Sequence, residues 1–148
     1  MRAPRRKAIT IGLPLAIWPR FCPLRFAKAA KYDLVLAADV FVYVNDLAAV
    51  LADVARVLAP RGMLAFTVET HSGAGVALLP TLRFAHSELY LRDAIAGAGL
   101  TLLALDQAAI RTEKGEPVNG LVLVAGLVGE AIHRHARAEL VVGPAMTI

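Results

Sequence analysis

A buried strand that leads directly into an acidic residue is the feature that most constrains the fold of this chain. Residues 34–38 form a continuous apolar run, Asp39 follows it, and residues 40–44 are again apolar. Continuous apolar runs are typical of strands covered on both faces, as they are in parallel sheets. Small ligands of open α/β folds bind outside the carboxyl ends of such strands. The sequence therefore predicts an α/β fold with Asp39 at a candidate site.

The segment after this strand reads as a helix followed by a second buried strand. Asp46 supplies N-cap chemistry, and apolar residues recur at helical spacing, which predicts a helix over residues 46–58. The Pro-Arg-Gly sequence at residues 60–62 ends that helix and turns the chain into a strand over 63–68, which ends at Glu69. Together these elements predict a βαβ unit with a right-handed crossover.

A long loop and a second helix follow. Residues 72–82 contain glycine and are numerous enough to suggest a functional loop. Ser87 is placed to cap a helix over residues 88–98, and Gly99 is placed to end it.

The apolar segments 100–105 and 121–127 predict a terminal antiparallel hairpin, with residues 106–120 as the connecting turn. The tail, residues 128–148, is compatible with one more helix.

Composition excludes several function classes. Hydrophobic residues make up 57% of the chain, yet no run of about eighteen apolar residues occurs, so no membrane span is predicted. The single Cys22 excludes an internal disulfide and fits a reducing compartment, which favours the cytoplasm. The net charge of +4 comes from residues 1–31, which contain eight Lys and Arg residues and no acidic residue. Few aromatic or polar side chains that could contact bases accompany these cations, so nucleic-acid binding is not predicted.

This order of elements resembles the C-terminal half of a class I S-adenosylmethionine-dependent methyltransferase. Residues 32–127 would supply strands equivalent to the fourth, fifth and sixth of that fold and its antiparallel seventh. The segments 38–43 and 83–90 look like those of a bacterial group of predicted methyltransferases, some of which are fused to tetratricopeptide repeats. The second segment carries Arg83, Phe84, Ala85, His86, Ser87 and Tyr90.

The resemblance implies methyl transfer from S-adenosylmethionine to an unidentified small-molecule acceptor. The family grips the methyl donor with a Gly-rich turn after its first strand and an acidic residue after its second. Gly12 is the only glycine before Tyr32, and a single glycine does not make such a turn. The alternative is a catalytically inactive fragment or an accessory module that needs another chain to complete its sheet. In that case the strand edge at residues 34–36 would be exposed and would promote self-association.

Residues 1–31 match no expected element of the family. Reading a back-translation of residues 7–22 in another frame yields a peptide like the family's third strand, so these residues are interpreted as an out-of-frame translation. A targeting peptide, with a basic start and an apolar stretch that Pro14 interrupts, and a disordered tail are the alternatives.

The resemblance places Ala38, Asp39 and Val40 beside the methyl donor. The candidate catalytic residues are Asp39, His71 and His86, since a histidine after the second strand could act as general base. The candidate substrate-binding residues are Tyr43, Glu69 and Arg83.

Each candidate also has a local interpretation. Asp39 could cap the loop that follows it, Tyr43 could simply pack, and His71 could be a solvated loop residue. His86 could pack under the Ser87 cap.

Arg83 would orient an anionic or hydroxyl-bearing acceptor, or would only pair with Glu88. His133 and His135 lie two residues apart and would point to different faces of a helix, so no metal site is predicted.

Overall fold

A computed structural model describes residues 6–11 and 31–128 of the chain. Within these residues the chain forms seven strands, two α-helices and one 3₁₀ turn. In chain order they are β1 (Ala8–Thr10), β2 (Tyr32–Ala37), the 3₁₀ turn (Phe41–Tyr43), α1 (Leu47–Val57), β3 (Leu58–Glu69), β4 (Val76–Leu78), β5 (Phe84–His86), α2 (Glu88–Gly97), β6 (Thr101–Glu113) and β7 (Glu116–Gly126).

The strands form one mixed sheet in the order β1, β2, β3, β7, β6. The first three strands are parallel, and β7 runs antiparallel to both of its neighbours. The β4 and β5 strands make a small hairpin that joins the sheet at the end of β3, where Glu69 pairs with Ala85. The predicted α/β class and the antiparallel final strand are both confirmed.

Helix α1 connects β2 to β3. Its sequence is apolar on one side only, so it packs with that side against the sheet. The Asp46 carboxylate caps it by accepting a hydrogen bond from the Ala48 N–H (2.9 Å). The buried side of the helix packs into a core that it shares with the sheet. The most deeply buried large side chains of that core are Phe41, Leu47, Leu51, Leu58, Leu64, Phe66, Leu91, Ile95, Leu121 and Leu123.

The turn expected at residues 60–62 lies inside β3. Pairing with β2 begins at Leu58, opposite Tyr32, and resumes at Met63 after a register irregularity. Arg61 adopts a left-handed conformation (φ 65°) at this point. The Pro-Arg-Gly sequence therefore bends the strand without ending it, because β2 pairs on both sides of the bend.

The β6–β7 hairpin is much longer than predicted. The segment expected as a turn, residues 106–120, is mostly paired strand, and the actual turn consists of Lys114 and Gly115. Both turn residues have positive φ (50° and 83°), as a two-residue hairpin turn requires. The prediction failed because the polar residues of this segment were read as loop, whereas they lie on a half-exposed hairpin.

Strand β7 changes its surroundings at Gly120. From Gly120 to Gly126 it pairs with both β3 and β6, but its first residues pair with β6 alone. Residues 109–119 thus form a two-stranded ribbon that extends beyond the end of β3. Gly120 lies so close to its neighbours that a Cβ there would be 2.7 Å from Ile110 Cδ1 and closer still to the Val68 carbonyl oxygen.

The edge of β2 is covered within the described residues. Ala8, Ile9 and Thr10 pair in parallel with Leu34, Val35 and Leu36, so the edge expected to be exposed is occupied by β1. This strand lies inside the segment 1–31, which was expected to stand outside the fold. Residues 12–30, and the tail helix considered for 128–148, lie outside the described residues apart from residue 128.

The expected loop over residues 72–82 contains β4 and its turn toward β5, so part of it is ordered hairpin. Helix α2 follows as predicted. Ser87 Oγ caps it by accepting from the Tyr90 N–H (3.3 Å), and Gly99 adopts the left-handed conformation (φ 75°) just beyond its end. Neither of the helices in the described residues is long and apolar enough to cross a membrane.

Candidate active site at the carboxyl edge of the sheet

Arg111 gathers three carboxylates at the carboxyl ends of β2 and β3. Its guanidinium Nη1 donates to Asp39 Oδ1 (3.1 Å), and its Nη2 donates to Glu69 Oε1 (2.5 Å) and to Glu113 Oε2 (3.1 Å). Asp39 follows β2 and Glu69 ends β3, whereas Arg111 and Glu113 belong to the ribbon. Because the ribbon extends beyond the sheet, it can bring a cation back over this edge.

Asp39 is held by its backbone as well as by its carboxylate. It adopts a left-handed conformation (φ 53°), which Asp tolerates better than most residues. Its N–H donates to the Thr67 hydroxyl (2.9 Å) on the neighbouring strand. The bend turns the carboxylate toward Arg111 and leaves it half-exposed.

The charge of Arg111 is fixed by its partners. Burial alone would lower the pKa of its guanidinium, but the hydrogen bonds to Glu69 and Glu113 outweigh burial, and the pKa is raised. Its Nε is buried without a hydrogen-bond partner in the part of the chain that the structure describes. Arg111 is therefore a permanent cation at this edge.

Glu113 connects Arg111 to a second guanidinium. Arg83 Nη1 donates to Glu113 Oε2 (2.8 Å), and Arg83 Nε lies 3.4 Å from the Tyr43 hydroxyl, to which it donates. The hydrogen bond from Arg111 is the main reason that the pKa of Glu113 is lowered, and the bond to Tyr43 is the main reason that the pKa of Arg83 is raised. We call Asp39, Tyr43, Glu69, Arg83, Arg111 and Glu113 the edge cluster.

The local pairing considered for Arg83 is wrong. Glu88 pairs instead with Arg92, one turn along helix α2, and Arg83 reaches across to the ribbon. Four of the residues expected at the site, Asp39, Tyr43, Glu69 and Arg83, thus lie together.

Comparisons with known proteins show which proteins this chain is similar to. A family model described as a methyltransferase domain matches residues 20–66, about a third of the chain, and this range includes Asp39. The structure of a 1,6-didemethyltoxoflavin-N1-methyltransferase from Burkholderia thailandensis is similar, with a TM-score of 0.59 and 16% identity over 82% of this chain and 60% of that one. The structure of an S-adenosylmethionine-dependent methyltransferase from Methanosarcina mazei gives a TM-score of 0.51 and 17% identity over 66% and 59%.

The fold is that of the class I methyltransferases. The chain spans about three-fifths of the length of both structures. A search of curated protein sequences finds no match. The predicted family resemblance is confirmed at the level of the fold and of the matched domain segment.

Two residues expected beside the methyl donor flank Asp39 on this methyltransferase fold. Ala38 is exposed, and Val40 is buried in the core with its carbonyl oxygen accepting from the Tyr43 N–H (3.2 Å). The contact of this segment with a methyl donor stays a prediction.

His86 lies in the core and makes no hydrogen bond to the edge cluster. Its Nε2 donates to the Val44 carbonyl oxygen (2.9 Å), and its ring stacks on Tyr90 with 5.7 Å between ring centroids. Burial lowers the pKa of His86, so the ring is neutral at pH 7. Its Nδ1 has no hydrogen-bond partner among residues 6–11 and 31–128.

His71 uses both ring nitrogens within its own loop. Its Nδ1 accepts from the Gly73 N–H (3.1 Å), and its Nε2 lies 3.1 Å from the Gly75 carbonyl oxygen, to which it donates. These two hydrogen bonds hold the His71 ring against its own loop. No group of three or more potential metal ligands occurs among the described residues, and His133 and His135 lie outside them.

Sequence reasoning missed Arg111 and Glu113. Both were assigned to a long turn, although they are two residues apart and therefore project to the same face of a strand. The dipeptide Lys114-Gly115 was the available signal, since a Gly in this context favours a tight two-residue hairpin that makes the flanking residues strand.

Proposed function

We propose that this chain is a methyltransferase domain that transfers a methyl group from S-adenosylmethionine to a small-molecule acceptor. The observation that carries the proposal is the edge cluster, a set of fixed charges at the carboxyl edge of a class I methyltransferase sheet. Ligands of open α/β folds bind at this edge. When bound, S-adenosylmethionine would supply an electrophilic methyl group on its sulfonium.

In this proposal the residues at the carboxyl edge of the sheet have different roles. The backbone of Ala38, Asp39 and Val40 contacts the methyl-bearing end of the donor, and the Asp39 carboxylate faces both donor and acceptor. Tyr43, Glu69 and Arg83 position the acceptor. Positioning is the main requirement of a direct displacement, because holding two reactants in line removes much of the entropic barrier.

Arg111 holds the carboxylates of the cluster in fixed positions through its hydrogen bonds. Asp39 and Glu69 are therefore suited to orienting an acceptor. A catalytic role for His71 or His86 stays a prediction, and the lone pair on Nδ1 of His86 is the feature that supports it.

The sequence supports two more specific proposals, one on the bacterial group and one on the cellular location. Similarity of segments 38–43 and 83–90 supports a place with the C-terminal halves of the bacterial methyltransferase group, some of whose members carry tetratricopeptide repeats. The lone Cys22 supports a cytoplasmic location. No partner other than the acceptor is proposed for this function.

A second candidate is an accessory module that binds no methyl donor by itself. It is favoured by the sequence before Tyr32, where Gly12 is the only glycine and no Gly-x-Gly pattern occurs. Another chain would then complete the sheet beside the short strand β1 and supply the missing donor contacts.

Calorimetric titration with S-adenosylhomocysteine separates the two candidates. The methyltransferase proposal predicts saturable binding that Asp39→Ala weakens. The control is Asp93→Ala, which removes an exposed carboxylate from helix α2, far along the chain from the sheet edge. No heat of binding at millimolar ligand would contradict catalysis by this chain alone and favour the accessory module.

A further inference from the structure

We propose that the acceptor subsite at the edge cluster recognises a small cationic molecule, one that carries a protonated amine or guanidine group. The proposal rests on the proposed function and names the acceptor class that would enter the same site. It is carried by the sign and the exposure of the charges in the cluster.

The cluster has an excess of negative charge. Its three carboxylates, Asp39, Glu69 and Glu113, face two guanidinium groups, Arg83 and Arg111, so one negative charge is left uncompensated within the cluster. A small ligand that contributes one positive charge would balance it.

Exposure divides the cluster by sign. The guanidinium side chains are only 14% (Arg111) and 21% (Arg83) exposed, whereas the carboxylate side chains of Asp39 and Glu113 are 46% and 36% exposed. Glu69 is 5% exposed and faces Arg111. The two guanidinium side chains are therefore less exposed than the carboxylate side chains of Asp39 and Glu113.

Both guanidinium groups donate hydrogen bonds to protein acceptors. Arg111 uses Nη1 for Asp39 and Nη2 for Glu69 and Glu113. Arg83 uses Nη1 for Glu113 and Nε for the Tyr43 hydroxyl. An anionic acceptor, which the sequence suggested for Arg83, would lie beside the Glu113 carboxylate that Arg83 binds and would be repelled by its charge.

The carboxylates retain the capacity to accept from a ligand. Asp39 and Glu113 each bind guanidinium nitrogens through one oxygen, Oδ1 and Oε2 respectively, and their second oxygens have no hydrogen-bond donor among the described residues. Each of these oxygens can accept from an ammonium or a guanidinium group, and hydrogen bonds between ions are about twice as strong as neutral ones.

A matched pair of probes tests the charge preference directly. The ¹⁵N-labelled chain, with saturating S-adenosylhomocysteine and without it, is titrated in NMR experiments with phenethylamine and with 3-phenylpropionate, which have similar shapes and opposite charges. We expect phenethylamine to shift the amides near Asp39 and Glu113 saturably, and 3-phenylpropionate to cause no such shifts. Binding of the amine should weaken as salt is added, because partly exposed charges are screened.

Substitutions at the two exposed carboxylates locate the effect. Asp39→Asn and Glu113→Gln should each weaken amine binding about two- to fivefold, the range expected for one partly exposed charge pair. Glu88→Gln is the control, since it removes an exposed carboxylate of the same kind that pairs with Arg92 on helix α2. The wild-type comparison of the two probes needs no variant and remains decisive if a variant unfolds.

The results also separate this inference from the proposed function. If S-adenosylhomocysteine binds but the carboxylate probe binds as well as the amine, the inference is overturned and the methyltransferase proposal stands. Amine binding that Glu113→Gln and Asp39→Asn leave unchanged would overturn it too. If the amine binds at the cluster while S-adenosylhomocysteine does not, the cationic subsite is supported and the methyltransferase proposal fails.

Discussion

Removing the guanidinium of Arg111 is the most direct test of how the carboxyl edge is held together. Arg111→Met keeps an unbranched apolar stem and deletes the group that pairs with Asp39, Glu69 and Glu113. Glu69 is then left as a buried carboxylate without its cation, whereas solvent can reach the other two. The variant should therefore fold with reduced stability.

The size of the effect follows from burial. Breaking a buried ion pair by removing one partner costs about 3–5 kcal/mol, and a partly exposed pair contributes about 0–1 kcal/mol. Because only Glu69 is deeply buried and Arg111 keeps some exposure, we expect the free energy of unfolding at pH 7 to fall by about 3 kcal/mol. Adding Glu69→Gln to Arg111→Met should recover part of this loss, since the uncompensated charge is then gone.

Urea denaturation followed by far-UV circular dichroism measures these free energies. Arg92→Met is the matched control, because Arg92 forms an exposed pair with Glu88 that is worth about 0.3–0.5 kcal/mol. A loss of less than about 1 kcal/mol in Arg111→Met, or a double variant with Glu69→Gln that is less stable than Arg111→Met, would refute the reasoning.

Three further perturbations test the scaffold. Gly120→Ala should destabilise the fold by about 1–3 kcal/mol, because a Cβ at this position has no room between the strands. Gly97→Ala lies in open space on helix α2 and should stabilise the fold by about 0.5–1 kcal/mol. Thermal denaturation of both variants measures the difference. The lowered pKa of His86 means that the unfolded chain binds more protons below about pH 6.5, so wild-type stability should fall on acidification, and His86→Gln should flatten that slope by up to about 1.4 kcal/mol per pH unit in urea titrations. Tyr90→Phe removes the hydroxyl that accepts from the Leu47 N–H (2.9 Å) and should cost about 1 kcal/mol by the same measurement; no loss would mean that water replaces the hydroxyl.

The sequence was sufficient for the elements that local chemistry specifies. Helix α1 begins where Asp46 caps it, and helix α2 begins at its Ser87 cap, because a side-chain oxygen can satisfy the free N–H groups of a first turn in any fold. The apolar runs of β2 and β3 were equally recognisable, since both faces of these strands are covered.

What local chemistry does not specify is which distant side chains meet. Arg111 lies 72 residues from Asp39 and 42 from Glu69, and only the register of the β6–β7 hairpin brings them together. That register depends on the tight turn at Gly115, and reading the turn as long removed both ribbon charges from consideration. Strand β1 was missed for a similar reason. Its three residues form a strand by pairing with the edge of β2, and their own sequence does not indicate that contact.

The ribbon gives β7 two environments along a single backbone. Beyond Gly120 its amides are flanked on both sides by strands and belong to the most protected part of the sheet, whereas the earlier residues have a single neighbour and solvent on the other side. Local opening can therefore separate the ribbon from β3 without disrupting the core, and amide hydrogens there will exchange through that opening at a lower free-energy cost than those near Leu123. The ion pairs of Arg111 are what oppose it, so a ligand that competes for those carboxylates would also change how often the ribbon lifts from the sheet.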